Sequence, residues 1–323
     1  MAITTRLTTR FRITHPVVSA PMAFAAGGKL AAAVTAAGGL GLIGGGYGDA
    51  EWLDAQFDEA GNQSVGCGFI TWSLRNRPEL LTAVLAHDPA ALFLSFDDPE
   101  PFLSRARAAG VPVMCQVQSA AAAARALDCG ADVIVAQGAE AGGHGARRAT
   151  FTLVPEIADL IARRAPATLL LAAGGIGDGR GLAAALMLGA DGALVGSRFW
   201  ASAEALVHPA HHARAITATG DDTIRSSVMD IARHLAWPPG YTARVLRNAF
   251  TERWHGREDE LLANAEAEAA RWRKAWADGD PDIANSFVGE VTGLIDAIEP
   301  AGLILKRMAD EAERLLARGR DIG

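Results

Sequence analysis

Residues 169–181 read LLLAAGGIGDGRG, and residues 189–198 read GADGALVGSR. Each segment is a short apolar run that ends at glycines, which is typical of a buried parallel strand followed by a turn. The apolar residues 182–188 lie between the two segments and predict a helix. Two strand–turn–helix units therefore follow one another directly in the sequence.

The glycine turns of these two units predict a phosphate site. Gly174 and Gly175 lack a Cβ atom, so their N–H groups can approach a ligand closely. Gly196 and Ser197 repeat the arrangement one unit later and add a hydroxyl group. In a (β/α)8 barrel, the loops after strands seven and eight frequently bind phosphate. These glycines could instead serve only tight turns, but two turns in register favour a phosphate-bearing cofactor.

Six further apolar runs precede this pair, with strand starts near residues 17, 40, 65, 91, 112 and 132. Starts near 168 and 192 complete eight units separated by 20 to 36 residues. Such gaps suit right-handed β-α-β crossovers between parallel strands. A doubly wound open sheet is the competing architecture. Eight regular units, with glycine turns in the last two, favour an α/β fold of the (β/α)8 TIM barrel type.

The C-terminal third departs from this period. Residues 222–323 are rich in helical patterns, Arg and Glu, and they hold four tryptophans. We expect a TIM barrel over residues 1–215 and a mostly helical subdomain over 216–323, whose last helices pack back on the barrel. This subdomain is either a lid beside the barrel mouth or a dimer surface.

Composition excludes several classes of protein. The chain has 323 residues, a net charge of −7 and 50% apolar residues. The negative charge argues against a nucleic-acid or anionic-membrane surface. The three cysteines form no C-x-x-C pair, and the N-terminus has no apolar signal segment. These features predict a soluble protein of the reducing cytoplasm.

Residues 137–145 read QGAEAGGHG and leave predicted strand six at the C-terminal face, where barrel enzymes hold their chemistry. Gln137 could hydrogen-bond a flat heterocycle, and Gly142 and Gly143 let the backbone pass close to a ligand. His144 is the one histidine among glycines at the predicted mouth, so it is the candidate acid, base or hydrogen-bond donor. The alternative is a solvent-exposed loop histidine.

Two other motifs do not support a site. Residues 39–44 match G-x-G-x-x-G, but a helix precedes them and they lead into a strand, which is the wrong context for a dinucleotide fingerprint. His208, His211 and His212 stand close together, but no cluster of cysteines or carboxylates lies near them in sequence. We therefore expect a solvated helix start there, and no metal site.

Four motifs then occur in order: residues 20–22 (APM), residues 137–145, residues 173–181, and residues 189–199 with Gly196-Ser197-Arg198-Phe199. Together they resemble the nitronate monooxygenase family, which are FMN-dependent barrel enzymes with a helical second domain. The resemblance covers about residues 12–215 and returns at residues 287–295. Flavin enoyl-acyl-carrier-protein reductases and NADH:quinone reductases share this scaffold and much of the motif set.

The resemblance implies a role for each matching residue. His144 would be the catalytic histidine. The other residues would bind FMN: the backbone of Ala20, Pro21 and Met22 at the isoalloxazine, Gln137, Gly142 and Gly143 along its edge and the ribityl chain, and Gly174, Gly175, Gly196 and Ser197 at the phosphate.

Two positions depart from the family pattern. Many members carry Asn on strand three, where residues 66–71 read GCGFIT, so Phe69 or a neighbour would remove an amide contact to the flavin. Some members carry Lys on strand five, where Gln116 stands. Gln116 would still border the cofactor, but a neutral side chain stabilises negative charge on reduced flavin less. Both departures concern the substrate and the reduction potential rather than FMN binding.

The activity that the resemblance implies is oxidation of small alkyl nitronates by dioxygen to a carbonyl compound and nitrite. His144 would orient the anionic nitronate, or take the α-proton of a neutral nitroalkane. One alternative is an NAD(P)H-dependent reductase of quinones or enoyl thioesters. Another is a phosphate-ligand barrel without flavin or without turnover. The tryptophan-bearing helices could also form a homodimer contact.

Overall fold

A barrel of parallel strands forms the centre of the molecule. The computed structural model describes residues 3–318, which contain eight parallel barrel strands and a separate three-stranded sheet. Numbered in chain order, the strands are β1 (Val17–Ser19), β2 (Leu42–Gly46), β3 (Gly66–Ile70), β4 (Leu92–Ser95), β5 (Val113–Val117), β6 (Val133–Gln137), β7 (Gly143–Gly145), β8 (Leu169–Ala173), β9 (Gly192–Val195), β10 (Thr223–Ser226) and β11 (Thr242–Leu246).

The barrel strands pair in the order β1-β9-β8-β6-β5-β4-β3-β2. The two ends of this order meet, because Val18 bridges Leu40 in parallel. The N–H of Ser19 also donates to the carbonyl oxygen of Leu40 at 2.9 Å. Closure distinguishes a barrel from an open doubly wound sheet. The predicted TIM barrel is therefore confirmed, with all eight predicted strands in place.

Side chains of the strands alternate between the barrel interior and the outer layer of helices. On β8, Leu169 and Leu171 point inward, whereas Leu170 belongs to the outer core. Towards the carboxyl ends of the strands the interior has less bulk. Small residues near the carboxyl ends of the strands, such as Gly68, Ser95 and Ala173, line the cavity there. Side chains therefore fill the barrel near the amino ends of its strands, and space remains at the carboxyl ends, which form the mouth.

Helices cover the outside of the barrel and form most of the C-terminal segment. They are α1 (Arg6–Phe11), α2 (Gly28–Ala36), α3 (Ala50–Ala60), α4 (Thr71–Leu74), α5 (Glu79–Ala86), α6 (Glu100–Ala108), α7 (Ala120–Asp128), α8 (Thr150–Arg164), α9 (Gly179–Met187), α10 (Ser197–Trp200), α11 (Pro209–Ala215), α12 (Val228–Ala232), α13 (Ala249–Trp254), α14 (Glu258–Ala263), α15 (Ala265–Asp278) and α16 (Ala301–Arg318). Within residues 3–318, no helix combines the length and the apolar character needed to cross a bilayer.

Helix α1 closes the lower end of the barrel. Leu7 is fully buried among the inward-facing side chains of the strands. Arg6 donates from Nε and Nη2 to the two carboxylate oxygens of Asp191, each at 2.7 Å. Asp191 Oδ2 also accepts from the N–H of Leu170 at 2.9 Å. A buried carboxylate therefore ties the N-terminal helix to β8 and to the start of β9.

The last described helix returns to the barrel. Helix α10, directly after Gly196, has only four residues, and the chain then leaves the barrel until α16. Helix α16 packs against α9 and α2 and places Ile304, Leu305 and Met308 in the outer core. Arg198, which is buried, pairs with Glu299 at 2.5 Å and anchors this return. Helix α16 thus occupies the place of the eighth barrel helix.

The segment between α10 and α16 contains strands as well as helices. Strands β10 and β11 are antiparallel, and β7 joins them through pairs such as Ala243 with His144. His144, expected in a loop, therefore lies on a short strand. The difference arises because residues 143–145 find backbone partners in a distant part of the chain, which local sequence cannot reveal.

Candidate functional site

A cavity of about 370 Å³ opens at the C-terminal mouth of the barrel, a size within the range of small-molecule sites. Its walls come from the strand ends and from the segment between α10 and α16. All of the site residues expected from the sequence border this one cavity: Ala20, Pro21, Met22, Gln116, Gln137, Gly142, Gly143, His144, Gly174, Gly175, Gly196 and Ser197. Their proximity is therefore a property of the fold, while their roles remain predictions.

The two glycine turns present unpaired backbone donors to the cavity. Gly174 and Gly175 have φ values of +100° and +74°, which suit glycine because it lacks a Cβ. Among the backbone hydrogen bonds outside the helices and strand ladders of the described residues, none has the N–H of Gly174, Gly175, Gly196 or Ser197 as its donor. Ser197 Oγ accepts from the N–H of Gly289 at 2.8 Å, so its own hydroxyl proton remains available. These donors form a cradle suited to an anion.

Close backbone contact joins the loop after β6 to the segment after α15. A Cβ on Gly142 would lie 2.6 Å from the nitrogen of Gly289, and a Cβ on Gly289 would lie 2.4 Å from the carbonyl oxygen of Glu140. The N–H of Glu290 donates to that same oxygen at 3.0 Å. Only glycines permit this approach, and it brings residues 287–291 to the cavity wall, where the resemblance predicts a returning segment.

His144 is paired with a buried carboxylate. Its Nε2 lies 2.9 Å from Oδ2 of Asp230, and the two residues are 9% and 3% exposed. Burial lowers the pKa of His144 below the usual value, although Asp230 opposes this shift. Arg233 and Arg225 add to the lowering. The imidazole is therefore neutral near pH 7 and able to accept a proton.

An aromatic wall holds the His144 ring. The indole of Trp237 stacks on it with ring centroids 3.4 Å apart and planes 6° apart, and Phe96 approaches edge-on at 6.4 Å. Trp237 Nε1 in turn donates to the hydroxyl of Tyr47 at 3.2 Å. The ring orientation is thus fixed by stacking as well as by hydrogen bonding.

The side chain of Gln137 forms a hydrogen bond with the backbone of β7, the strand that carries His144. Its Nε2 donates to the carbonyl oxygen of His144 at 3.0 Å, and its Oε1 accepts from Gln118 Nε2 at 2.8 Å. Both side chains are buried. The predicted contact of Gln137 with a heterocycle would therefore use what remains of its hydrogen-bonding capacity, because the amide already positions the candidate catalytic residue.

The outer half of the cavity contains a guanidinium surrounded by aromatic rings. The Cζ atom of Arg233 lies 5.2 to 5.7 Å from the ring centroids of Phe24, Tyr47, Trp272 and Phe287. Arg233 borders the cavity, and no carboxylate among the described residues lies within ion-pair distance of it. This cation is therefore available to an anionic ligand.

The two positions that depart from the family pattern differ in orientation. Met114 on β5 faces the interior of the barrel. Gln116 lies two residues later on the same side of the strand and borders the cavity. Phe69 is buried in the outer core between the strands and the helices. A Cβ on Gly45 would lie 2.8 Å from the Phe69 ring. The aromatic ring at 69 therefore packs against β2, and Phe69 also borders the cavity, as do its neighbours Gly68 and Ile70.

The helix start expected at the histidine cluster is present, because α11 begins at Pro209, but the expected solvation applies to His208 alone. His211 and His212 are buried, while His208 caps α11 by accepting from the N–H of Ala210. A ring nitrogen of His211 lies 2.7 Å from Ser286 Oγ, and one of His212 lies 2.8 Å from the carbonyl oxygen of Trp200. Trp276 lies 5.9 Å from the His211 ring and Trp200 lies 5.2 Å from the His212 ring, measured between centroids. The sequence around 208–212 does not indicate these neighbours.

Sequence reasoning missed Asp230, Arg233 and Trp237. All three lie on α12 or directly after it, where the sequence shows neither a glycine turn nor a recognisable motif. A charged residue within the apolar run VMDIA at 228–232 was the available signal, because an acid among buried residues usually has a partner. The identity of that partner depends on the tertiary fold.

Comparison with known proteins places the chain among related sequences. The family model described as nitronate monooxygenase matches residues 4–63 and 76–311. A nitronate monooxygenase of Neurospora crassa is 32% identical, over 98% of this chain and 94% of its own length. FabK from Thermotoga maritima has a TM-score of 0.87 and 30% identity, covering 99% of this chain and 100% of its own. A Mycobacterium tuberculosis protein named (3aS,4S,5R,7aS)-5-hydroxy-7a-methyl-1-oxo-octahydro-1H-indene-4-carboxyl-CoA dehydrogenase is 30% identical, over 78% of this chain and 69% of its own length.

The burial of His211 predicts a pH-dependent stability. Burial lowers the pKa of His211 from 6.5 to about 4. Between these values the unfolded chain binds more protons than the folded chain, so the free energy of unfolding should fall as the pH decreases through this window. We expect His211→Gln to weaken that dependence in urea denaturation measured from pH 7 to 4, whereas the exposed control His234→Gln retains it. Equal pH dependence in both variants would contradict the assignment.

Proposed function

The chain belongs to the nitronate monooxygenase family of oxidoreductases, and on that premise we propose that it binds FMN and oxidises small alkyl nitronates. Dioxygen is the second substrate, and the products are a carbonyl compound and nitrite. The observation that carries this proposal is the presence, in one cavity, of an anion cradle of free N–H groups and a buried neutral histidine.

The residues of the cavity fit the proposed cofactor. The free N–H groups of Gly174, Gly175, Gly196 and Ser197 would bind its phosphate. No backbone fills the space above Gly196, since the nearest atoms to a Cβ there are Ala20 Cβ at 3.6 Å and Met22 Sδ at 3.8 Å. Bound FMN would supply the electron acceptance that amino-acid side chains lack.

His144 supports the chemistry at the other end of the cavity. Its neutral imidazole would remove the α-proton of a neutral nitroalkane, whereas the charge of an anionic nitronate would be held by Arg233 on the cavity wall. Trp237 covers one face of the ring and limits access of water to it. The aromatic surroundings lower the local dielectric constant, which strengthens each remaining electrostatic contact with the substrate.

Arg233 supports an anionic substrate in particular. The protein as a whole is acidic, with a net charge of −7, yet Arg233 places an unpaired positive charge on the cavity wall. Its aromatic neighbours attract the cation through the negative faces of their rings, but they carry no net charge and do not neutralise it. A nitronate anion would therefore gain a favourable interaction that an isosteric neutral nitroalkane would not.

A second candidate function is reduction of an enoyl thioester or a quinone by NAD(P)H. It is favoured by the relative from Mycobacterium tuberculosis, whose name describes a CoA-linked substrate. The same cradle and the same histidine would serve this reaction, so substrate and electron donor must be identified by experiment. The homodimer, the cytoplasmic location and the division at residue 215 stay predictions.

The proposal predicts a yellow protein that nitronate alone can reduce. We expect the absorption spectrum of the purified protein to show bound flavin. Anaerobic mixing with propionate 3-nitronate should bleach that spectrum, whereas NADH and NADPH should leave it unchanged. Bleaching by a pyridine nucleotide alone would establish the reductase instead. A colourless protein that gains no colour with added FMN would contradict both functions.

The glycine cradle predicts a loss of cofactor affinity in Gly175→Val. A Cβ at position 175 would lie 3.5 Å from Glu140 Cβ, and a β-branched side chain strains a backbone with φ of +74°, so the turn that presents the N–H groups should be displaced. The dissociation constant of FMN should therefore rise at least about tenfold, or ~1.4 kcal/mol. The matched control is Gly61→Val, because Gly61 also has a positive φ, +60°, and lies in open space away from the cavity. Flavin fluorescence titration of the apoprotein measures both. Equal affinities would remove the phosphate assignment.

The unpaired guanidinium predicts a charge-selective effect of Arg233→Met. We expect the KM for a nitronate anion to rise about tenfold, since a hydrogen-bonded charge pair contributes roughly 1.5 kcal/mol or more. The KM for the matching neutral nitroalkane should stay within a factor of about two. Arg233→Lys is the control that keeps the charge. Equal changes for both substrates would mean that Arg233 acts only in packing.

A further inference from the structure

We propose that Asp230 is a positioning residue that holds the Nε2 proton of His144 and thereby leaves Nδ1 as the base for a neutral nitroalkane. The inference rests on the proposed function for its substrate. Its structural part, which is the protonation state of one imidazole, can be tested without turnover.

The two residues meet because three separate elements are brought together. His144 lies on β7, which pairs with β11 through Ala243. Asp230 lies on α12, which follows β10, the other neighbour of β11. The small sheet therefore fixes the distance between the ring and the carboxylate, 2.9 Å from Nε2 to Oδ2. Since both residues are buried, neither can turn into bulk water without disturbing this sheet.

The chemistry of the pair determines which ring nitrogen carries the proton. An ionised carboxylate can only accept a hydrogen bond, so the neutral imidazole must donate from Nε2. Nδ1 has no hydrogen-bond partner among residues 3–318, and His144 borders the cavity. The nitrogen with the free lone pair is therefore the one left for a ligand. A carboxylate that selects a histidine tautomer in this way is a known device of catalytic sites.

The carboxylate is directed at His144 and at no other described group. Its second oxygen, Oδ1, is buried without a hydrogen-bond partner in residues 3–318. An acid that served only the fold would be expected to use both oxygens, because an unsatisfied buried oxygen costs stability. Stacking of Trp237 at 3.4 Å prevents rotation of the ring away from this partner.

The charges around the ring favour proton transfer to it only while Asp230 is ionised. The charged groups that act on His144 are Asp230 on α12, Arg233 just beyond α12, and Arg225 on β10. Both arginines oppose an imidazolium, and burial opposes it further. Asp230 is the one group of these that stabilises the protonated ring. Removing its charge should lower the pKa of His144 still further.

The proton transfer from a neutral nitroalkane to His144 breaks one bond and forms one bond. The α C–H bond of a neutral nitroalkane breaks, its electron pair passes into the nitro group to give the nitronate, and the proton forms the new N–H bond at Nδ1. Asp230 stays ionised and pairs with the imidazolium that results. An alkyl nitronate supplied as such has already lost this proton, so its oxidation does not need the step.

The substrate pair therefore separates positioning from general damage. In Asp230→Asn, we expect kcat/KM for a neutral nitroalkane to fall about 100-fold, within the range of lost general-base catalysis. Its pH profile should move to lower pH. The kcat/KM for the matching nitronate should change by less than about threefold, because this substrate needs no proton transfer. The dissociation constant of the flavin should stay within the same factor of about three. Asp230→Glu should restore part of the loss, and the exposed Asp221→Asn should behave as the unchanged chain. Equal losses for both substrates would overturn the proposal.

Nitrogen-15 NMR of histidine-labelled holoenzyme tests the structural part directly. We expect His144, identified by its absence in His144→Ala, to carry its proton on Nε2, and Asp230→Asn to lower its pKa. A proton on Nδ1 in the unchanged chain would overturn the proposal even if Asp230→Asn did not fold. If the chain oxidised no nitronate, the proposed function would fail, while the NMR result would still decide the role of Asp230.

Discussion

The site depends on a short stretch of main-chain pairing between β7 and β11. This pairing turns residues 143–145 from a loop into a strand and draws the C-terminal segment over the barrel mouth. These main-chain hydrogen bonds do not involve any side chain, but they place the His144 side chain next to that of Asp230. The arrangement combines a rigid barrel, which holds the glycine turns, with a second layer that supplies the acidic and cationic groups.

Charge is distributed unevenly between the surface and the cavity. The chain carries seven more acidic than basic groups, but the residues that act on the His144 ring include two arginines and one carboxylate. Excess negative charge on the outside does not attract anions. Attraction of the proposed nitronate anion would therefore have to come from groups close to the cavity, where the low dielectric constant makes each charge effective.

The barrel and the inner half of the site were predictable, because they are encoded locally. Apolar runs ending in glycines mark β8 and β9, and Gly174 and Ser197 stand directly after them in sequence. The outer half of the candidate site was not predictable from the sequence. Asp230 and His144 are 86 residues apart, and they meet only because a small sheet of short strands forms between them. The buried environment of His211 was missed for the same reason, since the segment that covers it is remote in sequence. Local patterns specify an element, but not the partner that it will bury.

Helix α16 has a consequence for the order of synthesis. It fills the gap between α2 and α9, yet it is made after every other described element. While the nascent chain emerges from the ribosome, the faces of α2 and α9 that α16 later covers lack this neighbour. The barrel can pair its strands early, but its helical coat stays incomplete until residues 301–318 arrive. Completion of the outer layer is therefore a late folding event with long-range contacts, and such events are slow and exposed to chaperones and to aggregation.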